Sequence, residues 1–129
     1  MAALLDDIAT YLISKTFATA IGVDIFTDFV SDKPDHLISL NEYGGDGDVT
    51  FETVTQRSVQ ILVRDKDGSI AKSTAWNIYN LLKEDNHKIK FTSTRLGIVY
   101  LRQTPFKNRT DQNKRVLYGF NIGITTEND

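Results

Sequence analysis

Val116-Leu-Tyr-Gly-Phe-Asn-Ile-Gly-Ile-Thr125 is the stretch on which the fold turns. Val116, Tyr118, Phe120, Ile122 and Ile124 take one set of alternate positions, and Leu117, Gly119, Asn121 and Gly123 take the other. A period of two is that of a strand, whose successive side chains point to opposite faces of a sheet. The first set is a continuous apolar face. The two glycines strip bulk from the second and leave room for close backbone approach.

Working outward, Glu52 to Arg64 carries a similar signal, with Val59, Ile61 and Val63 sharing one face. Val23 to Phe29, Leu37 to Tyr43, Lys88 to Thr92 and Gly97 to Gln103 read as further strands. Between them, Ser31-Asp-Lys-Pro-Asp35 is a turn, because proline fixes its own φ and extends the residue before it. Gly44-Gly-Asp-Gly-Asp48 reads as a flexible loop with too little side chain to pack. Thr104 to Lys114 reads as a long, wet, positively charged connection, and the final Thr-Glu-Asn-Asp as a frayed tail.

Two segments change the period to that of a helix. From Ala3 to about Thr16, Leu4, Leu5, Ile8, Tyr11 and Leu12 recur at helical spacing, with Asp6 and Asp7 in a first turn that the helix dipole favours. From the turn Asp65-Lys-Asp-Gly-Ser69, with Asp67 or Ser69 as N-cap, a second helix runs to about Glu84–Asn86. Ala71, Ala75, Ile78 and Leu82 form its apolar stripe, widened by Tyr79, Leu81 and Trp76, the last expected as a core anchor. The order is helix, three strands, helix, three strands. It predicts an α+β fold: a mixed, mainly antiparallel sheet of five or six strands with two helices packed on it. The helix between strands three and four allows a parallel crossover there.

The chain has 129 residues, which is one domain's worth, 1–129. No stretch approaches the ~20 apolar residues of a membrane span. The start, Met1-Ala-Ala-Leu-Leu-Asp-Asp, lacks the basic region of a signal peptide. Cysteine is absent, which excludes disulfides, thiolate metal sites and a cysteine nucleophile, and fits a reducing compartment. Asn108-Arg109-Thr110 matches a glycosylation acceptor, but without an export signal the match has little weight.

Motifs that carry chemistry elsewhere fail on their partners. Ser69-Ile-Ala-Lys72 fits S-x-x-K, yet its companions S-D-N and K-T-G are missing. A calcium loop beginning at Asp65 needs glycine where Ile70 stands and glutamate where Trp76 stands. Asp46 and Asp48 inside the glycine-rich stretch would repel a phosphate, and no G-K-[ST] follows. His36 and His87 flank predicted strands with no paired acid nearby in sequence. The residues therefore predict no catalytic centre, metal or cofactor.

The net charge of −2 conceals a split. Residues 1–52 carry ten acids against Lys15 and Lys33, a balance of −8; residues 86–115 carry eight bases against Asp111, a balance of +7. The basic run of Arg102, Lys107, Arg109, Lys114 and Arg115, interleaved with Tyr100, Phe106 and Tyr118, has three readings: a solvated hairpin face, a protein contact, or a nucleic-acid surface. A pI of 5.6 argues against a dedicated nucleic-acid module.

Three stretches in order resemble one family: Gly22-Val-Asp-Ile-Phe-Thr-Asp-Phe29 with Pro34-Asp35; Ile38-Ser-Leu-Asn-Glu-Tyr-Gly-Gly45; and Val63-Arg-Asp-Lys-Asp67 followed by Ala75-Trp-Asn-Ile-Tyr-Asn-Leu-Leu82. Together they are similar to the tail terminator (minor capsid) proteins of long-tailed bacteriophages, over nearly the whole chain. The resemblance implies a structural virion protein of the tail and neck, assembled in the host cytoplasm. It implies a homo-oligomer, a hexameric ring that caps the tail tube, stops its polymerisation and offers a surface to the head connector. DNA would only pass through the lumen. Thr104–Lys114 is more basic than the family pattern. A head completion or neck connector protein is the nearest alternative, and a nucleic-acid-binding module using residues 102–115 a more distant one.

A ring is built from heterologous contacts, and opposite charge on two parts of one protomer favours them. Equally, acidic and basic strands could neutralise each other within the monomer. The candidate contact residues are Arg102, Phe106, Lys107, Arg109, Lys114 and Arg115 on the basic side, and Asp46 and Asp48 on the acidic side.

Overall fold

The computed structural model describes residues 4–48, 54–84, 88–90 and 96–127. His87, Arg95 and the expected strand ends at Glu52 and Thr92 lie outside them. The elements are α1 (Leu4–Ser14), β1 (Ile25–Thr27), β2 (Leu37–Asp48), β3 (Val54–Asp65), α2 (Gly68–Glu84), β4 (Lys88–Lys90), β5 (Leu96–Leu101), β6 (Phe106–Thr110) and β7 (Val116–Glu127).

The strands form one sheet in the order β1-β2-β3-β7-β5-β4, with β6 paired to β7. Strand β7 is its centre. One edge of β7 pairs antiparallel with β3 along its whole length, from Val54↔Glu127 to Asp65↔Val116. Its other edge is shared: β5 takes the far half, Gly97↔Thr126 to Leu101↔Ile122, and β6 takes the near half, Phe106↔Gly119 to Thr110↔Val116. Two α-helices on a mainly antiparallel sheet is the α+β arrangement that the residue patterns predict.

Opposite residues in an antiparallel pair share a face, so the pairings sort the side chains. Ile38, Leu40, Val59, Ile61, Val63, Phe120, Ile122, Ile124 and Val99 all fall on one face and are buried with Leu4, Ile8 and Leu12 of α1 and Ala75, Ile78 and Leu82 of α2. This is the main core. Tyr79 of α2 reaches Phe120 edge-on, with ring centroids 5.5 Å apart. Trp76 meets Tyr79 edge-on outside it, at 5.4 Å, and is partly exposed; it flanks the core instead of anchoring it.

Both helices end as their sequences require. Asp67 caps α2, its Oδ1 accepting from the Ser69 N–H at 2.9 Å and from the Ser69 hydroxyl at 2.7 Å. At the end of α1, Phe17 N–H donates to the Leu12 carbonyl and Thr16 N–H to Ile13, both at 3.0 Å, with Thr16 left-handed at φ 67°. That is a Schellman closure with threonine in the place glycine prefers.

Five expectations about the strands and their connections need correction. The Val23–Phe29 strand shrinks to Ile25–Thr27, because Asp24 turns the chain before it by accepting from Thr19 and Ala20 N–H groups, and Asp28 at φ 67° ends it. The supposed loop Gly44–Asp48 is strand, carried by pairing with β3 after a register shift between Tyr43 and Gly47. Thr104–Lys114 contains β6, because the near half of β7 has backbone groups that β5 does not reach. Finally, the parallel pair is β1 with β2, whereas β3 and β4, joined through α2, run in opposite directions. Thr126 and Glu127 of the expected tail also belong to β7.

Candidate functional site

The second face of the sheet has two unlike ends. Near the start of β2, residues 28–36 fold across it as a strap. Ser39 Oγ donates to the Phe29 carbonyl at 2.8 Å, and the Arg64 guanidinium donates to the carbonyls of Asp32, Pro34 and Asp35 at 3.1, 2.6 and 3.2 Å. Beneath the strap lie Phe26, Leu37, Leu62 and Leu117, all buried. Gly119 is obligatory here: a Cβ would strike the Ile61 carbonyl and the Leu62 side chain.

Arg115 locks the strap to the turn between β6 and β7. Only 5% exposed, it meets Asp111 through Nε at 2.8 Å, Asp35 at 3.3 Å and both the carboxylate and carbonyl of Asp32. Burial acts to raise the Asp111 pKa, but the Arg115 and Asn113 N–H groups and the Arg115 guanidinium outweigh it and hold the carboxyl below its usual range. Burial likewise acts against the charged form of Arg115, yet Asp111, Asp32 and Asp35 leave its pKa raised. Burial lowers the pKa of Arg64, with Arg115 adding repulsion. An open concavity of about 470 Å³ beside this knot is lined by Asp32, Lys33, Asp35, Lys66, Gln112, Asn113, Lys114 and Arg115. Its wall carries both signs, and Lys66 and Arg115 are paired across it with Asp35.

At the other end the face is open. Tyr43, Ser58, Gly123 and Tyr100 form one row across β2, β3, β7 and β5. The two tyrosines are 44% and 48% exposed and flank a floor of small residues. Arg102 lies along that floor, its guanidinium over Gly123 and donating to Ser58 Oγ at 3.1 Å. Between β5 and β6 the Gln103 side chain accepts from the Asn121 N–H at 3.2 Å, bridging the break before Pro105. Phe106 and Arg109 lie on the same face but at its strapped end, opposite Gly119 and Leu117.

The candidate contact residues therefore divide. Arg102, Phe106, Lys107, Arg109 and Lys114 are exposed. Arg115 is held inside the chain. Asp46 and Asp48 lie on β2, and their backbone is the described part. Arg115 with Asp32 and Asp35 shows the acidic and basic segments meeting within the protomer, and Arg57 pairs with Glu42 across β2 and β3. In the sequence Tyr100 reads only as one aromatic within the basic run and Tyr43 is not singled out, because a tyrosine on a strand looks the same on either face until register is known.

Catalytic geometry is not assembled among the described residues. His36 Nδ1 meets Asp65 at 2.7 Å, a pairing across 29 positions invisible in the sequence, but the described hydrogen bonds bring no nucleophile to the imidazole. Ser69 Oγ is spent on the Asp67 cap, and Lys72 is solvated. No group of three or more His, Cys, Asp or Glu among the described residues is placed to hold a metal. No helix among them is long and apolar enough to cross a membrane.

Among curated proteins no sequence matches the chain. A family model described as bacteriophage tail terminator protein matches residues 11–128, from the middle of α1 to just past β7. The chain belongs to the bacteriophage tail terminator family, a family of structural virion components.

Proposed function

We propose that the protein caps the tail tube, ends its polymerisation and joins the tail to the head connector, acting as a hexameric ring whose lumen passes DNA. The observation that carries this reading is the family match over residues 11–128. The open end of the second sheet face supports it: exposed aromatics beside arginine are the side chains that protein contacts favour. The protein works by fit, without a bond-making step or a cofactor. The match also favours a terminator over a neck connector of similar size.

Deletion of this gene from its phage tests the reading. Tails of uncontrolled length with heads unattached are the expected result. Tails of normal length lacking heads would assign the protein to the connector instead.

A further inference from the structure

Among the described residues, two half-edges of the sheet without a partner strand sit on a diagonal. On one side β1 pairs with β2 at Ile38, Ser39 and Leu40, after which the Asp28 carboxylate accepts from the Glu42 N–H at 3.4 Å. From Tyr43 to Asp48 the outer edge of β2 has no partner strand among the described residues. On the other side β4 pairs with Leu96–Ile98 of β5, but among the described residues β6, Phe106–Thr110, pairs with β7 alone, and all five of its residues are exposed. A row of unpaired N–H and C=O groups is a template for another strand.

The two half-edges match. The sheet order makes β2 and β6 antiparallel to each other, since β2, β3, β7 and β6 alternate in direction. Rotation about the ring axis leaves unchanged the sense in which a strand runs along that axis, so β6 of one copy would meet β2 of its neighbour in antiparallel sense where the strands run along it. Their lengths agree, five residues against six. Their charges are opposite: Lys107 and Arg109 on β6, Asp46 and Asp48 on β2. Neither basic residue has an ion-pair partner among the described residues. Self-pairing of either edge would set like charges against each other. Both edges carry an irregularity, at Asn108 in β6 and between Tyr43 and Gly47 in β2, which blunts promiscuous pairing. Gly44, Gly45 and Gly47 make this part of β2 a weak strand that gains from a second neighbour.

We infer that neighbouring subunits join by antiparallel strand addition, β6 of one copy pairing with the Tyr43–Asp48 edge of the next. This rests on the ring reading and supplies its contact. The half-edges lie at opposite ends of the sheet, roughly 20 Å apart along the strands at ~3.3 Å per residue. Joined subunits are therefore staggered, and the strands run oblique to the ring axis, as they do in any closed sheet.

The chain has no native cysteine, so Asp46→Cys and Asn108→Cys introduce the only thiols. Each single variant and the double variant are supplied to a phage deleted for this gene, and particles and free protein are treated with a short thiol-reactive cross-linker that tolerates a small shift in register. The double variant should give a ladder of covalent oligomers, and each single variant should stay a monomer on a denaturing gel. Absence of the ladder in both particles and free protein overturns the edge pairing. Tail length in the same particles judges the terminator reading separately, since a missing ladder with tails of defined length sinks only the pairing. If a cysteine disturbs its strand, charge reversal reads the same contact. Lys107→Glu with Arg109→Glu should weaken self-association at least tenfold, and adding Asp46→Lys and Asp48→Lys to that chain should restore it. Unchanged association in the first variant, or no recovery in the second, counts against the pairing.

Discussion

The strapped and open ends of the second sheet face set side by side two fates for the same residue type. Arg115 and Arg102 come from one basic run, yet Arg115 is 5% exposed under three aspartates while Arg102 lies in the open over a glycine. Charge in a run says nothing about which of its members hold the fold and which are left for a partner. Register and a distant segment decide it: residues 28–36 arrive from some 80 positions away and take Arg115, whereas among the described residues the Arg102 guanidinium donates only to Ser58.

The sharpest way to break this comparison is to remove the lock. Arg115→Ala should cost about 2 to 3 kcal/mol in chemical denaturation, the low end for a broken buried pair because Asp32 and Asp35 remain wet. A loss below about 0.5 kcal/mol would place Arg115 among the contact residues after all.

The glycines repeat the contrast. Gly119→Ala drives a methyl group into the Ile61 carbonyl and should cost about 1 to 3 kcal/mol. Gly123→Ala meets only the far end of the Arg102 side chain, which can swing away, so its cost should be a fraction of that. Equal losses in thermal melts would show that the open end is packed as tightly as the strapped one.

Acid should act on one end first. The folded-state pKa values of Asp111 and Asp35 are lowered, so their stabilising contribution is complete above the ordinary carboxylate pKa of about 4 and is lost as pH falls through the lowered values. Hydrogen exchange should then show the Asp111–Arg115 turn and residues 28–36 loosening before the row through Tyr43 and Tyr100. Simultaneous loosening would deny the lock its electrostatic origin.

The smallest expected effect is on stability at the exposed arginines. Arg102→Glu with Arg109→Glu should move the unfolding free energy by no more than about 0.5 kcal/mol, because both side chains are exposed. Circular dichroism of the pair of replacements, alone and during melting, checks this.

Much of the architecture was legible because the period of the apolar residues is unambiguous where one face is buried. Phe120, Ile122 and Ile124, the α2 stripe and the Asp67 cap all stand where the pattern puts them. The pattern went quiet at the edges. Gly44–Asp48 and Phe106–Thr110 offer no alternation, yet both are strands because a long neighbour has backbone groups to satisfy. The candidate site suffered from the same blindness. Arg102, Lys107 and Arg109 were visible as bases, but their exposure, the burial of Arg115 and the flanking tyrosines all depend on pairings across the sheet.

Tail length is the most direct measure of whether the exposed arginines do the assembly work. Particles made without this gene and resupplied with the chain carrying Arg102→Glu and Arg109→Glu should show tails that run on past their normal length in electron micrographs, although the protein is folded. Tails of uniform, wild-type length from that folded variant would contradict the assignment.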